Sequence, residues 1–153
     1  MPDPQTATAV HPPQDVSLFL KAMWRLNRAM AQQFEPLLHE RHGTEARSYF
    51  ILHSIQSGVQ YPKALAEELK MPSTLISRYL DDLSKRGLIE RHIDEHDSRR
   101  TLLTLTPLAL QLVAEVRQTI HDVTEARLSR LSPTQLKGLT DALRILVDEG
   151  HAA

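Results

Sequence analysis

The sequence predicts a mainly helical protein with one small β-hairpin. Only five glycines occur among its 153 residues, which argues against barrels, sandwiches and glycine-rich nucleotide loops. Apolar residues recur at spacings of three and four over most of the chain, which is the helical period. Residues 88–106 instead read as two short strands around a charged turn. A chain of this length is expected to form one domain with a sizeable core.

Composition and charge exclude several classes of protein. The chain has no cysteine, which excludes a disulfide framework and a thiolate metal site and suits a reducing cytoplasm. No apolar run approaches the ~20 residues of a membrane span, and the N-terminus lacks the pattern of a signal peptide, so we expect a cytoplasmic protein with no membrane partner. The net charge is -1, so any case for nucleic acid depends on where the charges lie.

The N-terminal 15 residues differ from the rest of the chain. Four of the nine prolines fall within the first 13 residues, which predicts that residues 1–15 form a disordered or loosely docked arm. A long helix is expected from Val16 to Gly43, with a kink or the last turn at Pro36. Its apolar stripe consists of Phe19, Met23, Leu26, Met30, Phe34 and Leu37.

The next segment predicts a second helix and then a pair of helices joined by a tight turn. Thr44 is placed to cap the second helix, which stops at Ser57 and Gly58. Its apolar side chains are Tyr49, Phe50, Leu52 and Ile55. A two-turn helix over residues 63–70 is followed by a break at residues 71–73 and by the amphipathic segment STLISRYLDDLSKRG. This pair has the outline of a helix-turn-helix.

A hairpin and two further helices complete the chain. The segments LIERHI and RTLLTLT flank the charged turn DEHDS, so residues 44–106 are predicted to form a winged helix-turn-helix. Thr106 and Pro107 begin the next helix, and Ser132 with Gln135 forms a capping box for the last one. The apolar stripes of these helices are Leu112, Val116, Ile120 and Val123, and Leu136, Leu139, Leu143 and Leu146. They lack an evident partner within one lobe, so residues 16–43 and 107–153 are predicted to form a helical dimerisation region.

The winged helix-turn-helix points to double-stranded DNA as the partner. The major groove admits one α-helix, and a hairpin tip can reach the neighbouring minor groove. The side chains predicted to contact DNA are Ser73, Thr74, Ser77, Arg78, Arg99 and Arg100. Asp97 is expected to support the wing by holding Arg99 in a fixed rotamer. The alternatives are a solvated turn, Ser73 acting only as an N-cap, and a winged-helix module that binds proteins through the same surfaces.

The stretch LAEELKMPSTLISRYLDDLSKRG, followed by LIERHIDEHDSRRTLLTLTPLAL, resembles the multiple-antibiotic-resistance regulator (MarR) family of bacterial transcription factors. The D-x-R of that family's wing is here Asp97 and Arg99. The L-T-x-x-G that follows begins here at Leu105 and Thr106, with Ala109 in place of the glycine. The similarity in helical order covers residues 16–149.

The resemblance implies a homodimeric repressor that reads a pseudo-palindromic operator, and two-fold symmetry places its half-sites ~10 bp apart. It also implies release of DNA by a small aromatic or phenolic acid, bound between the dimer helices and the DNA-binding lobes. An arginine beside an aromatic ring can hold a carboxylate over an apolar floor. The candidate ligand residues are Trp24, Arg25, Arg28, Arg47, Tyr49 and His53. A core tryptophan with surface arginines is the alternative.

Metal and enzyme chemistry are less well supported by the sequence. His39 and His42 lie three residues apart at a helix end, a usable ligand spacing, which leaves a zinc-responsive regulator as an alternative. The chain lacks cysteine and a second clustered pair of histidines, so we expect no metal and no cofactor. The motifs H-E-x-x-H and G-x-S-x-G and a phosphate loop are absent, so we expect that the protein is not an enzyme.

Overall fold

The computed structural model describes residues 9–147 of the chain. Its helices are α1 (Pro13–His42), α2 (Ala46–Gln56), α3 (Pro62–Leu69), α4 (Ser73–Lys85), α5 (Pro107–Leu128) and α6 (Pro133–Val147), and its strands are β1 (Ile89–Ile93) and β2 (Thr101–Leu105). The mainly helical class with one hairpin is therefore confirmed. Residues 1–8 of the predicted arm and residues 148–153 lie outside the described residues.

Helix α1 begins three residues earlier than the sequence predicts and ends at Gly43 as predicted. It begins at Pro13 with Asp15 in its first turn, a composition that favours a helix start, so residues 13–15 are helical. The helix also continues past Pro36 to His42, where Gly43 ends it with a left-handed φ of 59°. The prediction of a last turn at Pro36 is wrong. Leu38, two residues later, is only 1% exposed, and its burial supports the helical turn that follows the proline.

The start of α2 differs from the prediction. Its N-cap is Glu45, in an extended conformation and without a side-chain cap hydrogen bond. Thr44 is buried instead, and its Oγ1 has no hydrogen-bond partner within residues 9–147. Phe50 is also not a core residue, since 51% of it is exposed, while the neighbouring Ile51 is fully buried. The inner face of α2 therefore contains Tyr49, Leu52 and Ile55 as predicted, with Ile51 in place of Phe50.

The core lies where α2, α3, α4, the hairpin and α5 meet. Branched aliphatic side chains dominate it, and burying one of them contributes about 1.5–3 kcal/mol. Its best-buried members are Leu38, Ile51, Leu52, Leu65, Ile76, Leu80, Leu83, Leu103, Val113 and Val116. Because three of these belong to α4, the inner face of that helix is fixed and its opposite face is turned outward.

The turn between α3 and α4 is short and sharply bent. Lys70 ends α3 with a left-handed φ of 53°, which is uncommon for a residue with a side chain. Pro72 then serves as the N-cap of α4. Gly87, at φ 70°, reverses the chain after α4 and leads it into the hairpin.

The hairpin is tied to the segment that precedes α3. Strands β1 and β2 pair antiparallel, with Ile89 opposite Leu105 and Ile93 opposite Thr101. On the free edge of β2, the Leu103 N–H donates to the Gln60 carbonyl at 2.8 Å. The Gln60 side chain returns a bond to the Leu103 carbonyl at 3.1 Å. This edge is therefore covered, and the hairpin is held against the helix pair.

The two C-terminal helices begin as predicted. Thr106 caps α5 by accepting the Ala109 N–H at 3.3 Å, and Pro107 occupies its first position. In the capping box of α6, the Ser132 N–H donates to Gln135 Oε1 at 3.0 Å and the Gln135 N–H donates to Ser132 Oγ at 3.2 Å. Both predicted caps are confirmed.

The faces of these two helices differ from each other. The buried side chains of α5 are Ala109, Val113, Val116 and Thr119. Of the predicted stripe, Val116 is buried and Leu112 and Ile120 are partly buried against the core, so the inner face is centred slightly to one side of that stripe. No described residue of α6 is buried, and Leu139, Leu143 and Leu146 are all exposed in the single chain.

Candidate nucleic-acid interface

The outer face of α4 is open along its first two turns. Ser73, Thr74, Ser77 and Arg78 are all exposed there. No side chain caps the start of the helix, because Pro72 occupies the N-cap position and Ser73 is the first helical residue. Ser73 is thus not the N-cap considered as its alternative role. The helix presents its positive end together with short hydroxyls and one arginine, a combination suited to phosphate groups.

Two aspartates on the same helix are paired with arginines. Asp81 Oδ1 accepts from Arg91 Nη2 of β1 at 2.8 Å, and Asp82 lies 3.6 Å from Arg86 Nη1. Exposed pairs like these stabilise the fold by less than about 1 kcal/mol. They do reduce the negative potential next to the outer face of α4. The Asp81 pair also links this helix to the hairpin.

The hairpin and α4 face the same side of the molecule. One groove is lined by Ser77 and Asp81 of α4 together with Arg91 and Thr101 of the two strands. The outer face of the helix and the hairpin therefore form one continuous surface. This is the arrangement that the sequence predicts for a helix in one DNA groove and a wing in the next.

Asp97 organises the turn of the hairpin through the main chain. Its Oδ1 accepts the Arg99 N–H at 3.0 Å, and its carbonyl accepts the Arg100 N–H at 3.0 Å. The expected contact of Asp97 with the Arg99 guanidinium is replaced by this contact with the Arg99 backbone. The Arg99 side chain lies exposed beside the entrance of α3.

Arg100 has a different environment from Arg99. Its guanidinium carbon lies 3.7 Å from the centre of the Tyr61 ring. The Tyr61 hydroxyl in turn donates to Asp94 Oδ2 at 2.5 Å. Asp94 follows the last residue of β1 and is only 7% exposed. These three side chains form a cluster at the base of the hairpin.

Hydrogen bonding shifts the titration of two members of this cluster. The Tyr61 hydroxyl, followed by the His96 N–H, lowers the pKa of Asp94 by bonding its carboxylate. The hydrogen bond to Asp94 raises the pKa of Tyr61, with a smaller contribution from burial. At neutral pH the cluster therefore contains a neutral phenol, a carboxylate and a guanidinium.

The sequence did not reveal Tyr61, Asp94 or Gln60 as parts of this surface. Tyr61 precedes Pro62, so it reads as the residue before a helix, and Asp94 is one of several charges in the turn. Their contacts join positions 33 to 43 residues apart. The one available signal was an aromatic residue and a glutamine in an otherwise short loop, where neither is needed for the turn.

The six candidate ligand residues do not form one site within the single chain. On α1, the Arg28 guanidinium lies 5.2 Å from the Trp24 ring centre, and Trp24 is 59% exposed. On α2, the rings of Tyr49 and His53 stack at 5.8 Å. His53 Nδ1 is buried without a hydrogen-bond partner in the described part of the chain.

The remaining two ligand candidates lie elsewhere. Arg25 is exposed on α1. Arg47 lines a groove of about 550 Å³ with Arg78 and Tyr79, next to the outer face of α4. Burial, followed by a hydrogen bond with Glu45, raises the pKa of Tyr79 in this groove. Arg47 therefore borders the outer face of α4, which belongs to the candidate nucleic-acid interface.

The two histidines considered as zinc ligands, His39 and His42, have different surroundings. His39 is exposed, whereas His42 Nε2 lies 2.8 Å from Thr119 Oγ1 of α5. A different group on α5, His121, Asp122 and Glu125, brings its ligand atoms within 4.8 Å of one another. All three side chains are exposed, and such groups are common on surfaces without an ion.

Comparison with known proteins supports the fold and the family of the winged segment. A model of the MarR family matches residues 42–100, which confirms the resemblance predicted from the sequence over those residues. The transcriptional regulator BldR from Sulfolobus solfataricus has a similar structure, with a TM-score of 0.71 and 20% identity over 88% of this chain and 99% of BldR.

Two further solved structures are similar. A MarR mutant from E. coli, in complex with operator DNA, has a TM-score of 0.73 and 18% identity over 90% of this chain and 99% of that one. MepR, a transcription regulator of the Staphylococcus aureus multidrug efflux pump MepA, has a TM-score of 0.70 and 18% identity over 85% of this chain and 96% of MepR. BldR and MepR are transcription regulators, and the MarR structure contains operator DNA.

None of the helices within residues 9–147 combines the length and the apolar composition that crossing a bilayer requires.

Proposed function

We propose that this chain, which carries a MarR-family segment over residues 42–100, is a dimeric repressor that binds a pseudo-palindromic operator in double-stranded DNA. One observation carries the proposal: Ser77 and Asp81 on the outer face of α4 line one groove with Arg91 and Thr101 of the hairpin strands, so α4 and the hairpin lie on the same side of the molecule. A helix and a wing placed in this way can enter a major groove and the minor groove beside it. Residues 44–106 form the DNA-binding domain.

The two halves of this surface have different roles. Ser73, Thr74 and Ser77 position α4 on phosphate groups, and Arg78 reaches base edges from its exposed position. Arg99 extends from the turn into the minor groove, where a narrow groove attracts arginine. The pairing of Asp81 with Arg91 supports this role, because it offsets the nearest negative charge.

Residues 16–43 and 107–153 form the dimerisation region. Within the described residues, support comes from apolar side chains that one chain leaves in water on both α1 and α6. The most exposed are Leu18, Leu20, Trp24, Ile145, Leu146 and Val147. Exposed apolar side chains in this number are typical of an interface, and a second copy of the same chain would cover both helices by two-fold symmetry.

A small aromatic or phenolic acid is the proposed effector. Support comes from the exposed Trp24–Arg28 pair and from His53 Nδ1, a buried atom that needs a hydrogen-bond partner. Binding between the dimer helices and the lobes would favour a lobe separation that cannot span both half-sites. Coupling energies of this kind are about 1–3 kcal/mol.

A mobility-shift titration tests the proposal. The probe is the DNA that flanks the protein's own gene, and the titration is run at two salt concentrations. We expect a shift that weakens steeply as the salt concentration rises, because the lysine and arginine side chains that bind phosphates release counterions from the DNA. Adding benzoate should release the probe. The absence of a shift at low salt would favour a winged-helix module that binds proteins.

Two variants assign the roles within the same assay. Arg99→Ala should weaken binding to many sequences alike, whereas Arg78→Ala should relax discrimination at one position by about 1–3 kcal/mol. Arg130→Ala, a remote exposed position at the end of α5, is the control. Equal and sequence-independent losses from Arg78→Ala and Arg99→Ala would contradict the division of roles.

A further inference from the structure

The base of the hairpin is held by contacts among three separate segments. Tyr61 stands at the entrance of α3, Asp94 follows β1, and Arg100 precedes β2. The Tyr61 hydroxyl bonds the Asp94 carboxylate, and the Arg100 guanidinium lies on the Tyr61 ring at 3.7 Å. The Asp94 N–H also donates to the Arg100 carbonyl at 3.1 Å. Each side chain of the cluster therefore contacts a segment other than its own.

The geometry restrains the hairpin as a body. Gln60, the residue before Tyr61, is joined to Leu103 of β2 by two hydrogen bonds, at 2.8 and 3.1 Å. The Gln60 bonds fix the middle of β2, and the Tyr61 cluster fixes the end nearer the turn. With two attachment points, the hairpin cannot pivot about either one without breaking contacts at the other.

The two adjacent arginines are consequently not equivalent. Arg100 is engaged with an aromatic face, and leaving it for a phosphate would forfeit the cation–π contact and expose the Tyr61–Asp94 hydrogen bond to water. The Arg99 side chain has no salt bridge or cation–π contact among the described residues. Only its backbone N–H is fixed, by Asp97. Arg99 can therefore move onto DNA without disturbing the hairpin.

We propose that Arg100 and Tyr61 are positioning residues that set the angle of the hairpin relative to α4, while Arg99 alone makes the contact with DNA at the turn. The inference rests on the proposed function and makes it more specific. It differs from the expectation drawn from the sequence, in which both arginines contact DNA. Asp94 supports these two residues, because its hydrogen bond with the Tyr61 hydroxyl fixes the orientation of the ring that Arg100 contacts.

The salt dependence of DNA binding separates the two kinds of arginine. An arginine that neutralises one phosphate contributes about 0.9 to the slope of log affinity against log salt concentration. Arg99→Ala should therefore reduce the magnitude of this slope by roughly 0.9. Arg100→Ala should weaken binding roughly 2- to 30-fold, as expected for the loss of a cation–π contact, and leave the slope unchanged.

A double-mutant cycle provides the second measurement. If Arg100 acts through Tyr61, the double change of Arg100→Ala with Tyr61→Ala should weaken DNA binding no further than either single change. Tyr61→Phe keeps the ring and should retain most of the affinity. In hydroxyl-radical footprints, Arg100→Ala should lose the protection made by the hairpin although Arg99 is still present.

The outcomes distinguish this inference from the proposed function. A lower salt slope for Arg100→Ala, or additive losses with Tyr61→Ala, would mean that Arg100 contacts a phosphate, and would overturn the positioning role alone. Failure of the unmodified protein to bind DNA at low salt would overturn both. Circular dichroism of each variant confirms that it is folded, and Arg100→Gln, which also removes the charge, replaces Arg100→Ala if the latter is not.

Discussion

At the scale of single residues, Asp94 couples the stability of the protein to pH. Its pKa lies below the ordinary value of 3.8, first because the Tyr61 hydroxyl bonds its carboxylate. The folded protein thus binds this proton less readily than the unfolded chain does. The resulting stabilisation is present above pH 3.8 and is lost as the pH falls through the lower pKa of the folded state.

Asp94→Asn should therefore lower the melting temperature at about pH 7, and the difference from the unmodified protein should narrow at acid pH, below 3.8. Asparagine keeps an acceptor for Tyr61 but has no charge to titrate. Thermal unfolding followed by circular dichroism between about pH 7 and pH 2.5 checks this. Glu95→Gln, at the exposed neighbouring position, is the control. A constant difference over the whole range would contradict the role given to Asp94.

Single residues also show the limits of prediction from the sequence. The exposed positions of Ser77, Arg78 and Arg99 follow from helical and hairpin periodicity, which depend only on near neighbours. The stacking of Arg100 on Tyr61 joins residues 39 positions apart, and no local pattern encodes such a contact. Asp97 was correctly placed in the turn, but its bond with a backbone N–H could not be distinguished from one with a guanidinium.

At the scale of elements, helix ends show which local signals were decisive. Gly43, Thr106 and Ser132 act as predicted because each needs only its own turn. Thr44 fails as a cap because burial between α1 and α2 removes its hydroxyl from the helix start, and Glu45 takes the N-cap position. Pro36 did not end α1, because the burial of Leu38 stabilises the turn that follows it.

Thr106 is the cap with the largest expected effect on stability. Its hydroxyl accepts the Ala109 N–H and donates to the Gly87 carbonyl at 2.7 Å, so it joins the start of α5 to the end of α4. Thr106→Ala should lower the free energy of unfolding by about 1–2 kcal/mol. Thr106→Ser keeps both bonds and should lose much less. Urea denaturation measures both variants, and equal losses would show that the methyl group matters instead of the hydroxyl.

At the scale of the whole molecule, α6 is the helix through which we expect two chains to assemble. Its apolar stripe was predicted from spacing, and in the structure none of its described residues is buried within the chain. Within residues 9–147, no other segment covers the exposed leucines of this helix. The sequence predicted both the stripe and its lack of a partner within one lobe. It did not predict how exposure varies along the stripe, from a half-buried Leu136 to a Leu146 that is 64% exposed, because this depends on how the other helices pack.

Leu143→Glu should therefore shift the protein from dimer to monomer, because two-fold symmetry places two buried charges in one interface. DNA affinity should fall in parallel, since a monomer spans one half-site. Thr134→Glu introduces the same charge on the opposite side of α6, where it should leave the dimer intact. Sedimentation equilibrium measures both. A dimer that survives Leu143→Glu at micromolar concentration would place the interface on other helices.

The capping box of α6 has a consequence for the order of folding and association. Because its two reciprocal hydrogen bonds are entirely local, the helix can take shape on a newly synthesised chain before any second copy is nearby. Such a chain has a formed helix whose apolar side chains are still in contact with water. Under the proposed dimerisation, association with a second copy would cover this surface, so α6 would form first and its burial would follow only when two chains meet.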